Sequence, residues 1–150
     1  MTVSLLDTSI KDLDRLVDIE KQCFVEEAFT KKQINLFLTD YNSLSLVAKK
    51  NDEIVGFIIG VIYNDNKTIN GHIVTIDVLP SHRREGIGQT LLTELERIFA
   101  AKGAKTCYLE VREGNLAALS LYRKLEYRVL GRLENYYGNA HGVCLKKILS

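Results

Sequence analysis

Ile73-Val74-Thr75-Ile76-Asp77-Val78 and Gln89-Thr90-Leu91-Leu92-Thr93-Glu94-Leu95 flank Arg83-Arg84-Glu85-Gly86-Ile87-Gly88, and the reading of this stretch decides the fold. The β-branched apolar run reads as a strand. The leucines after the loop recur at helical spacing, so a strand feeds a helix through a turn rich in glycine and arginine. A helix that starts there leaves its first backbone N–H groups without intrahelical partners, at the positive end of its dipole. Two arginines at the same place are cations where the dipole disfavours them, so they call for an anion. The join is a candidate phosphate site.

Working outward, the rest of the chain fits one α/β unit with a mixed sheet, residues 1–150 forming a single domain. Thr2–Leu6 reads as a first strand. Leu13, Leu16, Val17, Glu20 and Phe24 recur at three- and four-residue spacing, predicting one helix over 10–23. Thr30 and Gln33 fit a capping box that opens a second helix. Residues 45–50 and 53–63 read as strands joined by the turn Asn51-Asp52. Residues 64–71 read as a polar turn, after which 73–78 returns antiparallel. A helix over 86–102 buries Ile87, Leu91, Leu92, Leu95, Ile98 and Phe99, and Gly103 stops it. A strand at 106–111 follows, then a helix capped by Asn115 with Ala118, Leu121, Tyr122 and Leu125 inward. Strands at 128–136 and 142–148 close the chain. The expected sheet has about seven strands, mostly antiparallel, with about four helices.

Hydrophobic residues make up 46% and charged residues 26%, a globular balance. A net charge of +1 gives no general attraction to nucleic acid or to an anionic membrane, so neither partner is expected and any anion site is local. Cys23, Cys107 and Cys144 are distant and form no C-x-x-C pair, which argues for buried thiols and against zinc or a disulfide framework. His82 and His141 carry no ligand spacing, so no metal is expected. No leader is seen and no apolar run approaches the roughly 20 residues that span a bilayer, so the cytoplasm is the expected location.

A Walker loop is absent, and a dinucleotide fingerprint would need a third glycine and a second βα unit. Arg83-x-x-Gly86-x-Gly88 instead resembles the [QR]-x-x-G-x-[GA] motif of the GNAT superfamily of N-acetyltransferases. Leu109-Glu110-Val111-Arg112-Glu113-Gly114-Asn115-Leu116-Ala117-Ala118-Leu119-Ser120-Leu121-Tyr122 is similar to the L-E-V-R-x-x-N-x-x-A-x-x-L-Y segment of RimI-type protein N-terminal acetyltransferases. The resemblance implies a GNAT fold and acetyl-coenzyme A as donor. It implies that Arg83, Arg84, Glu85, Gly86, Ile87 and Gly88 hold the pyrophosphate, that Ile76, Asp77 and Val78 pair with the pantetheine arm, and that Asn115 and Tyr122 also touch the coenzyme. A backbone N–H near Val78 would polarise the thioester carbonyl.

Acetyl transfer to an amine needs a base for the amine proton and an acid for the departing thiolate. An α-amine, with a pKa of roughly 8, is the easier nucleophile than a lysine at about 10.4. The resemblance implies Glu110 as the base, acting directly or through water, and Tyr122 as the acid. For the acceptor it implies Phe24, Glu26 and Glu27 between the first two helices, and Tyr136 and Tyr137 before the last loop. His72 resembles the histidine of a G-H-I stretch in related N-terminal acetyltransferases and is read as structural. Two departures fall on the acceptor side: Val25 and Ala28-Phe29 replace the usual proline and aromatic residue, and Leu125-Glu126-Tyr127 replaces L-G-F, implying a different helix exit. The expected acceptor is a protein or peptide N-terminus. The alternatives are a small amine such as a polyamine, or a non-catalytic acyl-CoA-binding module; the sequence leaves the oligomeric state open.

Overall fold

The computed structural model describes residues 3–149. Seven strands and four α-helices alternate as β1 (Ser4–Asp7), α1 (Leu13–Cys23), α2 (Lys31–Thr39), β2 (Ser43–Lys50), β3 (Glu53–Asp65), β4 (Thr68–Val78), α3 (Ile87–Ala101), β5 (Thr106–Arg112), α4 (Leu116–Lys124), β6 (Arg128–Leu133) and β7 (Gly142–Ile148). They build one mixed sheet in the order β1-β2-β3-β4-β5-β7-β6, antiparallel throughout except for β4 against β5. The expected first strand is β1, and Thr2 lies outside the described residues.

Local chemistry sets most boundaries. Thr30 Oγ1 accepts the Gln33 N–H at 3.2 Å and the Gln33 side chain accepts the Thr30 N–H at 2.9 Å, so the capping box starts α2. The helix expected over 10–23 is divided: Ser9 and Asp12 cap each other around a 3₁₀ turn at Ile10–Asp12, and α1 begins only at Leu13. Asn51 and Asp52 both take left-handed φ, at 54° and 65°, as a two-residue hairpin turn requires. The expected polar turn over 64–71 is mostly strand. Asn66 and Lys67 alone turn, at φ 50° and 70°, between Asp65 and its partner Thr68. At this tip both faces meet solvent, so the polar composition hides a continued ladder.

One irregularity matters for everything downstream. Ile59 pairs with Thr75 but Gly60 pairs with Ile73, so β4 carries Val74 as an extra residue. A side-chain period of two then breaks, and the strand changes faces. Gly71 lies under the Phe99 ring of α3, whereas Thr75 and Asp77 face Glu20 of α1 on the opposite side of the sheet. Gly60 and Gly71 let Phe99 sit directly on the sheet; a Cβ on Gly60 would come within 2.6 Å of Phe99 Cζ. Leu91, Leu92, Leu95 and Phe99 are completely buried, so α3 is the main apolar layer on that face.

Glu126 corrects the expected change of helix exit. Tyr127 N donates to Tyr122 O and Glu126 N to Arg123 O, a Schellman closure, with Glu126 at φ 74°. The tight turn is kept and the glutamate bears the left-handed conformation. Tyr127 is thereby buried, its hydroxyl donating to Glu96 at 2.7 Å while Lys147 reaches the same carboxylate at 2.8 Å. Replacing Glu126 with glycine should therefore stabilise the fold by about 1 kcal/mol, seen as a higher midpoint in urea or thermal unfolding.

Candidate active site

β4 and β5 pair only at Asn70–Thr106, Gly71–Cys107 and His72–Tyr108, after which they part. Beyond the fork, a cleft of about 940 Å³ opens between them. Leu79 N donates to Val55 O at 2.9 Å, so the backbone groups of Leu79 point at β3. By strand alternation those of Val78 and Ile76 point away from β3 into the cleft, as an unpaired strand edge. Asp77 stands apart from Ile76 and Val78 among the expected coenzyme contacts. Its backbone turns to β3 and its buried carboxyl to Glu20, so neither faces the cleft.

At one end of the cleft stands the N-terminus of α3. No side chain caps it, and its N-cap residue, Gly86, takes φ 81° with nothing within 4 Å of where a Cβ would stand. Gly88 is half-buried, where a Cβ would make ordinary contact with Val78 and Leu121. Arg83, Arg84, Gly86, Ile87 and Gly88 line the cleft here, and Arg83 Nε donates to Val78 O at 3.2 Å. Glu85 does not line it. Its carboxylate is pulled to Lys50 at 2.7 Å, which lowers its pKa and removes a negative charge from the cradle. Open N–H groups, cations and a backbone free of Cβ atoms fit a pyrophosphate, and the unpaired β4 edge fits an amide-bearing arm. Asn115 caps α4 through Ala118 N at 3.1 Å and also lines the cleft, as does Lys124, which carries no signal in the sequence motif.

At the fork itself His72 Nε2 and Glu110 Oε1 are 2.7 Å apart, both half-buried. His72 was read from sequence as structural; the fold sets it directly on Glu110, because β4 and β5 are still paired at that point. Alternation along β5 sends Tyr108, Glu110 and Arg112 to the same side. Tyr122 lines the cleft from α4, is 5% exposed, and receives no side-chain hydrogen bond from the described residues. Burial raises its pKa, so the hydroxyl keeps its proton.

The other end of the cleft joins the α1–α2 loop to the β6–β7 loop. Phe24, Phe29, Phe37, Val61 and Val74 line the cleft there, with Phe29 and Phe37 edge to face at 5.3 Å. Tyr136 and Tyr137 close it, at 4.9 Å from each other; burial and then the Glu110 carboxylate raise the Tyr136 pKa. Glu26 and Glu27 are not free carboxylates. Arg112 donates to both Glu27 oxygens, at 3.2 and 2.7 Å, and Asn139 Nδ2 donates to Glu26 at 2.9 Å. Arg112 also lies over the Tyr137 ring at 5.7 Å. Cys23, expected among buried thiols, is half-buried and lines the cleft, its Sγ donating to Val78 O at 3.3 Å.

A sheet that opens midway to admit an extended donor, with that donor's phosphates received at one helix end, is the frame of an N-acetyltransferase. The chain belongs to the acetyltransferase (GNAT) family, which residues 13–127 match, and acetyl-CoA is the acetyl donor of that family. It is 30% identical over 145 residues to the N-alpha-acetyltransferase of Sulfurisphaera tokodaii, covering 91% of this chain and 86% of that one. It is 32% identical over 131 residues to the ribosomal protein bS18-alanine N-acetyltransferase of Haemophilus influenzae, covering 87% and 85%. The crystal structure of the ribosomal-protein-S18-alanine N-acetyltransferase from Escherichia coli has the same fold, with a TM-score of 0.89, 23% identity and coverage of 99% and 95%.

Gly86→Val should weaken acetyl-CoA binding at least ten-fold in calorimetry, since the new side chain enters the phosphate cradle and its left-handed φ adds about 1–2 kcal/mol of strain. Unchanged affinity would place the phosphates elsewhere.

Proposed function

We propose that this protein acetylates the α-amine of a protein or peptide N-terminus by direct transfer, as a single domain acting in the cytoplasm. One observation carries the acceptor reading: the acceptor end offers an aromatic and apolar wall with no free carboxylate. Arg112 lies on Glu27 at 2.7 Å and 3.8 Å from Glu26, so a cation already stands among the acids that a polyamine's several charges would need. A peptide needs none, because its backbone and first side chain can lie against Phe24, Tyr136 and Tyr137. The relatives named N-alpha-acetyltransferase and bS18-alanine N-acetyltransferase support the same class of acceptor.

The division of labour follows from position. Bound acetyl-CoA supplies the thioester carbonyl. Glu110 takes the proton of the incoming amine, directly or through one water, and His72 fixes its carboxylate. The Val78 N–H, on the unpaired edge of β4, faces the split as a donor for the carbonyl oxygen. Tyr122 holds its proton at Oη until the thiolate leaves. A non-catalytic binding module would have no use for both groups in one cleft.

Glu110→Gln should lower kcat by roughly 10²-fold with acetyl-CoA binding retained. Tyr122→Phe should also depress turnover while largely sparing donor affinity; full activity in that variant removes its role as acid. Peptides with varied first residues, assayed beside polyamines by mass spectrometry, test the acceptor. Acetylation confined to polyamines overturns the reading.

A further inference from the structure

Behind the acceptor wall lies a buried acidic cluster that the acetyl-transfer steps do not use. Glu20 of α1 and Asp77 of β4 are each 1% exposed, and Thr75 between them is 7% exposed. Thr75 Oγ1 is 2.7 Å from Asp77 Oδ1 and 3.1 Å from Glu20 Oε1. A hydroxyl carries one hydrogen, so it can donate to only one of these oxygens. The other contact needs a proton from a carboxyl group. Thr75 thus bridges the two carboxyls, and Asp77 Oδ2 is buried without a partner. Two ionised carboxylates in this position would repel at short range in a desolvated site.

The cluster has an outlet. Glu20 Oε2 accepts the backbone N–H of Phe29 at 3.0 Å, and Phe29 belongs to the loop that forms the acceptor wall. We propose that Glu20, Thr75 and Asp77 share one proton and act as a positioning cluster, tying the donor strand β4 to the acceptor loop 24–30 through the Phe29 N–H. The proposal rests on the reading of that loop as the acceptor wall. The groups facing the pair are Cys23 beside Glu20 on α1, Arg83 of the phosphate loop and Tyr122 of α4. Arg83 is the one cation among them, and it belongs to the donor end. The cluster therefore borders both halves of the cleft.

Burial and the neighbouring Glu20 raise the Asp77 pKa well above the ordinary carboxylate range. The folded chain thus keeps a proton that the unfolded chain releases. Stability from this source is full at acid pH and is lost as pH rises from the ordinary carboxylate range through the pair's own titration. Asp77→Asn supplies a permanent donor and should remove that loss.

Infrared spectroscopy of the full chain at pH 7 tests the shared proton without reference to any acceptor. A carboxylic acid C=O band is expected, and Asp77→Asn should abolish it. Its absence from the wild type overturns the proposal. The positioning role is read from kinetics on whichever amine the enzyme acetylates, which keeps it separate from the acceptor assignment. Thr75→Val should raise the acceptor KM several-fold with donor affinity unmoved, and Thr75→Ser should restore it. The ratio of Asp77→Asn to wild type in acceptor kcat/KM should climb about five-fold or more as pH is raised through the range in which that infrared band disappears. A flat ratio, or equal losses in donor and acceptor binding, overturns the role.

Discussion

Three residue pairs, Asn70–Thr106, Gly71–Cys107 and His72–Tyr108, hold β4 to β5, and the strands then separate. The active site depends on where that pairing stops. Continued pairing would consume the N–H and C=O groups of Ile76 and Val78 and close the cleft. Pairing that stopped earlier would uncouple His72 from Glu110. The extra residue at Val74 gives the strand a bend at the right point. It also reverses the faces, so that Ile76 and Val78 lie towards α3 and Thr75 and Asp77 towards α1. A single inserted residue thus separates a strand edge open to the cleft from a buried acidic cluster on the same strand.

Acidic side chains around the cleft are distributed so that none competes with the phosphates. Glu85 goes to Lys50, Glu27 to Arg112, Glu26 to Asn139, and Glu110 to His72. Arg83 and Arg84 are left facing the cleft at the end where α3 begins. The exposed pairs contribute little to stability on their own. Their service is to hold negative charge in defined places, which leaves the positive end of the α3 dipole unopposed.

What could be read from the sequence is what local chemistry dictates. Thr30 and Gln33 announced α2, Asn51-Asp52 announced a hairpin, and Asn115 announced α4, because each of these depends on residues a few positions apart. The bulge is illegible, since Ile73 to Ile76 is a uniform β-branched run and nothing in it marks the extra residue. Glu126 looked like a changed helix exit, but Tyr127 burial and the backbone closure held the glutamate in a conformation suited to glycine. Among the candidate site residues, the orientation of Asp77 is hidden for the same reason as the bulge: a backbone facing β3 cannot be told from one facing the cleft without the register. Glu26 and Glu27 looked available because Arg112 and Asn139 are distant in sequence and only the fold brings them near.

Those distances have a temporal consequence. The donor half, residues 43–101, is built from consecutive hairpins and the helix that follows them, so its contacts are local and fast to form. The acceptor wall is different: Arg112 meets Glu27 across 85 positions and Asn139 meets Glu26 across 113. It closes only when the end of the chain returns to its beginning. During synthesis, the loop at the start of α3 can form before the wall built by Arg112 and Asn139 does.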